Sequence, residues 1–349
     1  MAVSPYLRIG QSIGFVVAMF SNLLLLYLIK IRAGASFGRY RVMMISFSVY
    51  ALVYATIEIF TLPVMHIHGA GILFYVNSFL KDYYSAGVFI STMYCGSFAL
   101  CISMLATHFI YRYIAVCKHQ KLYYFEGNNV YLWFLPPFCL FTIWASSIYL
   151  NFAPNEFKRD YFRNMTRELY EENIDEIPFI APLYYTRLAD GSRLFRAPDL
   201  FGAFLSCTIM SCCFTTCLVC AAKTYSKLND LSIQMSARTR ALNKQLFWTL
   251  GLQTLLPCFT QYIPVGLIFI LPMFEVEIGR VGNVVGVTCC LYPAMDPIIA
   301  IVMIDRFRNF VLRKEKGSMT KSSQISAINS DGASGTSVTK MKTTSGAKC

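Results

Sequence analysis

Seven stretches of this chain are apolar over the length a helix needs to cross a membrane, about 20 residues for about 30 Å of hydrocarbon. The first is uncharged from Ile9 to Ile29, between Arg8 and Lys30, and the second runs from Val42 to about Met65 with Glu58 its single ionisable residue. The third is free of Asp, Glu, Lys and Arg from Tyr83 to Tyr111, and the fourth covers about Val130 to Phe152. The fifth lies between Asp199 and Lys223, the sixth within Gln245 to Phe274, and the seventh from Val281 to Ile304 with only Asp296 charged. Backbone groups left unpaired in lipid cost several kcal/mol each, so such stretches cross as helices. The pattern predicts an all-α membrane protein, a bundle of seven transmembrane helices.

Composition excludes the soluble alternatives. With 56% hydrophobic and 14% charged residues, the chain lacks the polar surface to cover a globule of 349 residues. Its excess of Lys and Arg over Asp and Glu is distributed between the apolar runs instead of along one folded face, which argues against nucleic acid. Twelve of the thirteen cysteines, Cys95 through Cys290, fall in or beside apolar segments and read as small packing residues. The sequence has no HExxH and no pair of CxxC motifs, so neither metal nor cofactor is expected. Met1 to Gly10 carries one Arg and leads into an apolar run too long for a signal-peptide core, so a true first span is expected.

Basic residues in short loops set orientation. The connections after spans one, three and five hold Lys30, Arg32, Arg39 and Arg41; Arg112, Lys118 and Lys121; and Lys223, Lys227, Arg238, Arg240 and Lys244. Nine more follow span seven, against Arg8, Lys81 and Arg280 on the other side. The N-terminus is therefore expected outside and the C-terminus inside. The long loop from Ala153 to Pro198 then lies outside, with the sequon Asn164-Met165-Thr166, and its seven basic and eight acidic residues read as a solvated segment. Residues 1–314 are expected to form the bundle domain, ending in a short amphipathic helix at the inner surface within Asp305 to Lys316. Residues 315–349, rich in Ser, Thr and Lys, are expected to form a disordered cytoplasmic tail with Ser318, Ser322, Ser323, Ser326 and Ser337 open to phosphorylation.

Charges in lipid are costly and mark function by default, which singles out Glu58 and Asp296. Asp296 stands between Pro293 and Pro297 in a span that should kink there; it is either a hinge that changes partners or a buried acid satisfied by a neighbour. Glu58 faces either a ligand cavity or another helix. Arg112, between Tyr111 and Tyr113, is also the ordinary anchor pattern of a membrane interface. Span six carries Pro257 and Pro264 with Gln253, Gln261 and Tyr262, a bendable helix with polar groups for the bundle. Only two charges in seven spans argue against a transporter or channel. His66 and His68 lie at the opposite end from His108 and His119, which argues against an embedded enzyme.

Several local segments together resemble one family, the nematode seven-transmembrane chemoreceptors of the Str type. They are Lys244-Gln245-Leu246-Phe247, Gln253-Thr254-Leu255-Leu256-Pro257, Tyr262-Ile263-Pro264-Val265 and Leu291-Tyr292-Pro293-Ala294-Met295-Asp296-Pro297-Ile298-Ile299. Asp305-Arg306-Phe307-Arg308 and Tyr111-Arg112-Tyr113-Ile114-Ala115-Val116-Cys117 add to them. The resemblance implies a G-protein-coupled odorant-like receptor in the plasma membrane of sensory neurons and their cilia. It would bind a small environmental molecule outside and a heterotrimeric G protein inside, with a receptor kinase and arrestin at the tail. More distantly, Tyr111-Arg112-Tyr113 is similar to the Asp-Arg-Tyr element of rhodopsin-like receptors and Asp296-Pro297 to their Asn-Pro element. Here Tyr111 replaces the acid, Ala300 stands where that class has Tyr, and the long loop has no Cys for a disulfide to span three.

The expected ligand cavity lies between spans two, three, five, six and seven, with Glu58, Phe89, Met93, Tyr94, Gln261 and Tyr262 as lining candidates. Activation and coupling are assigned to Tyr111, Arg112, Tyr113, Pro264, Pro293, Asp296 and Pro297. A receptor for an endogenous peptide, received by the long loop, is the alternative within the same fold.

Overall fold

The computed structural model describes residues 5–33, 37–229, 237–279 and 281–313. The tail with its serine candidates, Lys314, Arg280 and the centre of the third basic loop lie outside the described residues. Seven helices are long and apolar enough to span a membrane: Pro5–Arg32, Tyr40–Thr61, Tyr84–Cys117, Asn129–Asn151, Ala197–Asn229, Thr239–Phe274 and Gly282–Met303. The chain is a multi-pass membrane protein. Span three is the axis of the bundle, with 72% of its apolar window buried, whereas spans four, five and six expose most of theirs. Tyr6, Phe20, Phe138, Leu150 and Phe204 are among the large exposed apolar side chains, as a lipid-facing surface requires.

Close approach is bought by small residues. A Cβ on Gly14 would sit 2.9 Å from Cys290 Sγ and 3.1 Å from the Cys290 carbonyl oxygen, so spans one and seven meet there at backbone distance. Gly96 does the same for spans three and four, where a Cβ would meet that of Ala145 at 2.8 Å. Polar groups complete these seams. Pro297 cannot donate to the carbonyl of Pro293, four residues back, and Asn22 Nδ2 donates to it at 2.7 Å instead. Ser21 Oγ donates to the next carbonyl, Ala294, at 3.2 Å. Span seven therefore continues as helix through both prolines.

Span two ends at Thr61, four residues before the sequence reading closed it. Leu62 adopts φ +43, and the apolar residues beyond it form strand β1, Pro63–His68. This strand pairs antiparallel with β2, Gly71–Val76, which pairs with β3, Phe179–Ile180. A second hairpin joins β4, Tyr185–Arg187, to β5, Arg193–Phe195. The segment read as a solvated loop is thus a folded cap. Its helix Glu156–Tyr170 is amphipathic, capped by Asn155 Oδ1 on the Lys158 N–H, and turns Phe162, Met165 and Tyr170 inward. These three pack with Val64, Leu73, Tyr75, Ile174 and Phe179 into a core of their own over one end of the bundle. At the other end, a helix at Asp305–Val311 buries Phe307 against Phe37, ring centroids 5.9 Å apart.

Candidate functional site

Beneath the cap lies a cavity of about 100 Å³. Its wall is Tyr54 of span two, Tyr94, Cys95 and Phe98 of span three, Trp144 and Ile148 of span four, Val265, Ile268 and Phe269 of span six, and Cys289 of span seven. Met65, Ile72, Phe74, Phe152, Ile180 and Pro182 roof it from the cap side. Span four takes the place expected for span five. Trp144 explains the exchange: its buried ring reaches between Phe98 at 5.8 Å and Phe269 at 6.5 Å, filling the space that would admit span five.

Of the sequence-chosen lining residues, only Tyr94 borders the cavity directly. Tyr54 Oη donates to Tyr94 Oη at 3.1 Å, and Tyr94 Oη in turn reaches Glu58 Oε1 at 3.4 Å, so Glu58 is buried immediately behind the wall. Gln261 and Tyr262 lie one turn deeper, both buried, with Tyr262 edge-on to Phe98 at 5.6 Å. Phe89 is 55% exposed on the outer flank of span three and Met93 is half-buried one turn below it; neither borders the cavity. They sit on the face of the helix turned away from its neighbours, which span three's nearly uniform apolarity conceals. Pro264 follows a π-helical turn, Cys258–Tyr262, that re-aims the upper half of span six so that Val265, Ile268 and Phe269 face inward.

Two ties hold the roof. On one side Lys158 Nζ, wholly buried, pairs with Asp199 Oδ1 at 2.7 Å and donates to the Asn151 carbonyl at 2.9 Å. Asp199 also accepts the Leu183 N–H and Arg196 Nε, both at 3.2 Å, so one carboxylate gathers the ends of spans four and five and the segment between β3 and β4. On the other side Arg187 Nε donates to Glu275 Oε1 at 3.0 Å, and Tyr184 Oη donates to the Phe269 carbonyl at 2.8 Å, tying the second hairpin to span six. The Arg187 guanidinium holds the half-buried Glu275 below its ordinary 4.5. A carboxylate whose folded pKa is depressed contributes stability above 4.5 and loses it as pH falls through the folded value. Hydrogen-exchange protection of the 185–195 hairpin is therefore expected to drop below pH 4.5 in the native chain and to drop less in Arg187→Met, where only Asp190, held low by its Ser192 bonds, still titrates within the hairpin.

At the opposite end Arg112 is buried within span three, its guanidinium carbon 3.6 Å from the centre of the Tyr40 ring. Its Nη1 reaches Asn243 Oδ1 at 3.5 Å, while Nε and Nη2 have no hydrogen-bond partner among the described residues. Tyr111 stacks beside Tyr40 at 5.8 Å, its own ring centre 5.8 Å from the same guanidinium carbon, and Tyr113 lies half-buried beneath Lys223. Asp296 is buried between these two levels and accepts from Gln253 Nε2 at 3.1 Å, both at its Oδ2 and at its backbone carbonyl. Tyr40, absent from the sequence candidates, holds Arg112 where an acid does so in receptors with an Asp-Arg-Tyr element. Lys118, Lys121, Lys223 and Lys244 are exposed around it. Asn164 is exposed on the cap helix.

The family model described as "Serpentine type 7TM GPCR chemoreceptor Str" matches residues 7–312. The chain belongs to the Str family. Str receptors are G-protein-coupled-receptor-type membrane proteins, not enzymes, with a ligand, a G protein and the bilayer as their partners. Among curated proteins this Str chain is 34% identical over 327 residues to the Caenorhabditis elegans "Serpentine receptor class r-10", covering 91% of this chain and 94% of that one. The Caenorhabditis briggsae protein of the same name is 33% identical over 324 residues, with the same two coverages. The C. elegans "G-protein coupled receptor str-33" is 24% identical over 297 residues, 84% of this chain and 86% of its own. The match from residue 7 to residue 312 takes in the cap and the terminal helix as well as the spans of this Str receptor.

Proposed function

We propose that this Str receptor detects a small odorant-like molecule in the cavity under its cap and signals to a heterotrimeric G protein at the Arg112 end. The observation that carries the reading is the cavity itself: about 100 Å³, walled by five spans and roofed by the β1–β2 hairpin and the long loop of the receptor's own cap. A void of about 150 Å³ accommodates benzene. The space here suits about four to six non-hydrogen atoms, too few for a peptide chain.

In this reading the N-terminus and cap face outward and the terminal helix and tail inward, in keeping with the basic residues around Arg112. Asn164 on the cap would then carry a glycan. Residues 1–314 act as one receptor domain, and the tail receives a receptor kinase and arrestin; the plasma membrane of a sensory cilium is the site of action. The relative at 24% identity is named a "G-protein coupled receptor", which supports the inner partner.

The test is G-protein activation in cells displaying the receptor, across a panel of volatile and water-soluble small molecules. Val265→Trp fills the cavity from span six and is expected to weaken the response at least tenfold at unchanged surface display. An unchanged response in Val265→Trp would move the ligand elsewhere. Silence of the displayed native receptor across the panel would count against a small-molecule ligand.

A further inference from the structure

Resting on the reading of the cavity as the ligand site, we infer that its ligand is a small primary amine, bound as the ammonium ion with Glu58 as counter-charge. Three observations carry this.

The first is a missing cation. Glu58 is 3% exposed, and no Lys, Arg or His of the described residues pairs with it. Its side chain accepts from Tyr94 Oη alone, at 3.4 Å, well beyond the usual 2.7–2.8 Å of an O–H···O bond. A carboxyl buried at membrane depth with so little compensation is costly, and an arriving cation would offset that cost.

The second is an excess of acceptors. Tyr54 donates to Tyr94 and Tyr94 to Glu58, so both hydroxyl protons are committed inward. Deeper, Cys101 Sγ donates to Tyr292 Oη at 3.3 Å, and Gln261 Oε1 is buried with no hydrogen-bond partner among the described residues. A ligand completes this set by donating. An ammonium brings three donors and the charge Glu58 lacks; an alcohol brings one donor and no charge, and an aldehyde or ketone brings only acceptors.

The third is the wall. Tyr94, Tyr54, Phe98, Trp144 and Phe269 present aromatic rings to the same small volume. Such a surface takes an alkyl chain and stabilises a cation beside it through the ring quadrupole. The alkyl group would lie toward Trp144 and Phe269, with the nitrogen against Tyr54 and Tyr94; a swing of the Tyr94 hydroxyl out of its long bond would then open Glu58 Oε1, one side chain behind the wall, to the ammonium.

Butylamine, 1-butanol and butanal share one chain length and differ at the head group. Their stabilisation of the purified receptor against heat, in lipid nanodiscs, measures binding without reference to signalling. Butylamine is expected to act at concentrations at least tenfold lower than the other two. Glu58→Gln is expected to erase that advantage, and Tyr94→Phe, which removes the competing hydroxyl, to keep or enlarge it. Melting of each unliganded variant reports whether it folds; if Glu58→Gln does not, the ranking of the three compounds on the native receptor and on Tyr94→Phe decides. Equal or better binding of butanol or butanal, an undiminished amine preference in Glu58→Gln, or no stabilisation by any of the three would overturn the amine site. Amine binding with no G-protein response would overturn the proposed function and leave the amine site standing; a response to butanal without amine binding would do the reverse.

Discussion

Lys158→Met is expected to lower the unfolding free energy of the solubilised receptor by about 3 kcal/mol, the low end of what removing one partner of a buried ion pair costs. The lysine is wholly buried, and burial pulls its amine below the usual 10.5 while Asp199 pushes it back up. Without it, Asp199 would keep only Arg196 and the Leu183 N–H against its charge, and the carbonyls of Asn151 and Ala153 would lose their donor. Arg196 is the reason for choosing the low end. Because a buried pair often contributes little compared with apolar side chains of the same volume, Lys158→Met combined with Asp199→Leu is expected to recover at least half of the loss. Thermal unfolding with and without denaturant reads both. A loss under about 1 kcal/mol for the single variant would show that water reaches the pair, as at an exposed salt bridge.

Arg112→Ala is expected to reduce G-protein activation at least tenfold while leaving surface display and melting unchanged or slightly improved. Stability is expected to be spared because the guanidinium is only partly satisfied: it has the face of Tyr40, one long bond to Asn243, and two nitrogens without hydrogen-bond partners among the described residues. Each buried donor left unmade costs about 1–3 kcal/mol, which sets the arginine ready to leave for a better partner. Tyr40→Leu removes the ring that retains it, a contact worth about 0.5–2 kcal/mol, and is expected to raise ligand-independent activation by about two- to thirtyfold. Loss of display in Arg112→Ala would recast the residue as structural. A Tyr40→Leu receptor with native basal activity would show that something other than this stacking holds it.

The seven spans were legible because lipid imposes a single length and a single composition on anything that crosses it. Their facing was not. Phe89, Met93 and Tyr94 are large side chains within two turns of span three, yet only Tyr94 meets the cavity, because the turn of the helix and the position of Trp144 decide which side is interior. Glu58 was found by the rule that charge in lipid needs a reason, and the structure puts it one side chain away from the ligand space. The cap escaped for two reasons. Strand β2 is buried along its whole length, so it shows no alternation, and β1 simply continued the apolar run of span two. Lys158 was counted among the solvated charges of a mixed loop, since a pairing partner 41 residues away at Asp199 leaves no local signal. Tyr40 was missed because a tyrosine at a membrane boundary is ordinary until an arginine is seen lying on it.

The π-helical turn at Cys258–Tyr262 uncouples the length of span six from its facing. Such a turn takes up one residue more than the α-turn it replaces, and each residue of an α-helix accounts for about 100° of rotation. The half carrying Gln245 and Gln253 is thereby indexed independently of the half carrying Val265 and Phe269. Gain or loss of a single residue within those five positions would rotate the ligand wall against an unaltered signalling end, a way for related receptors to diversify what they detect while conserving what they report to.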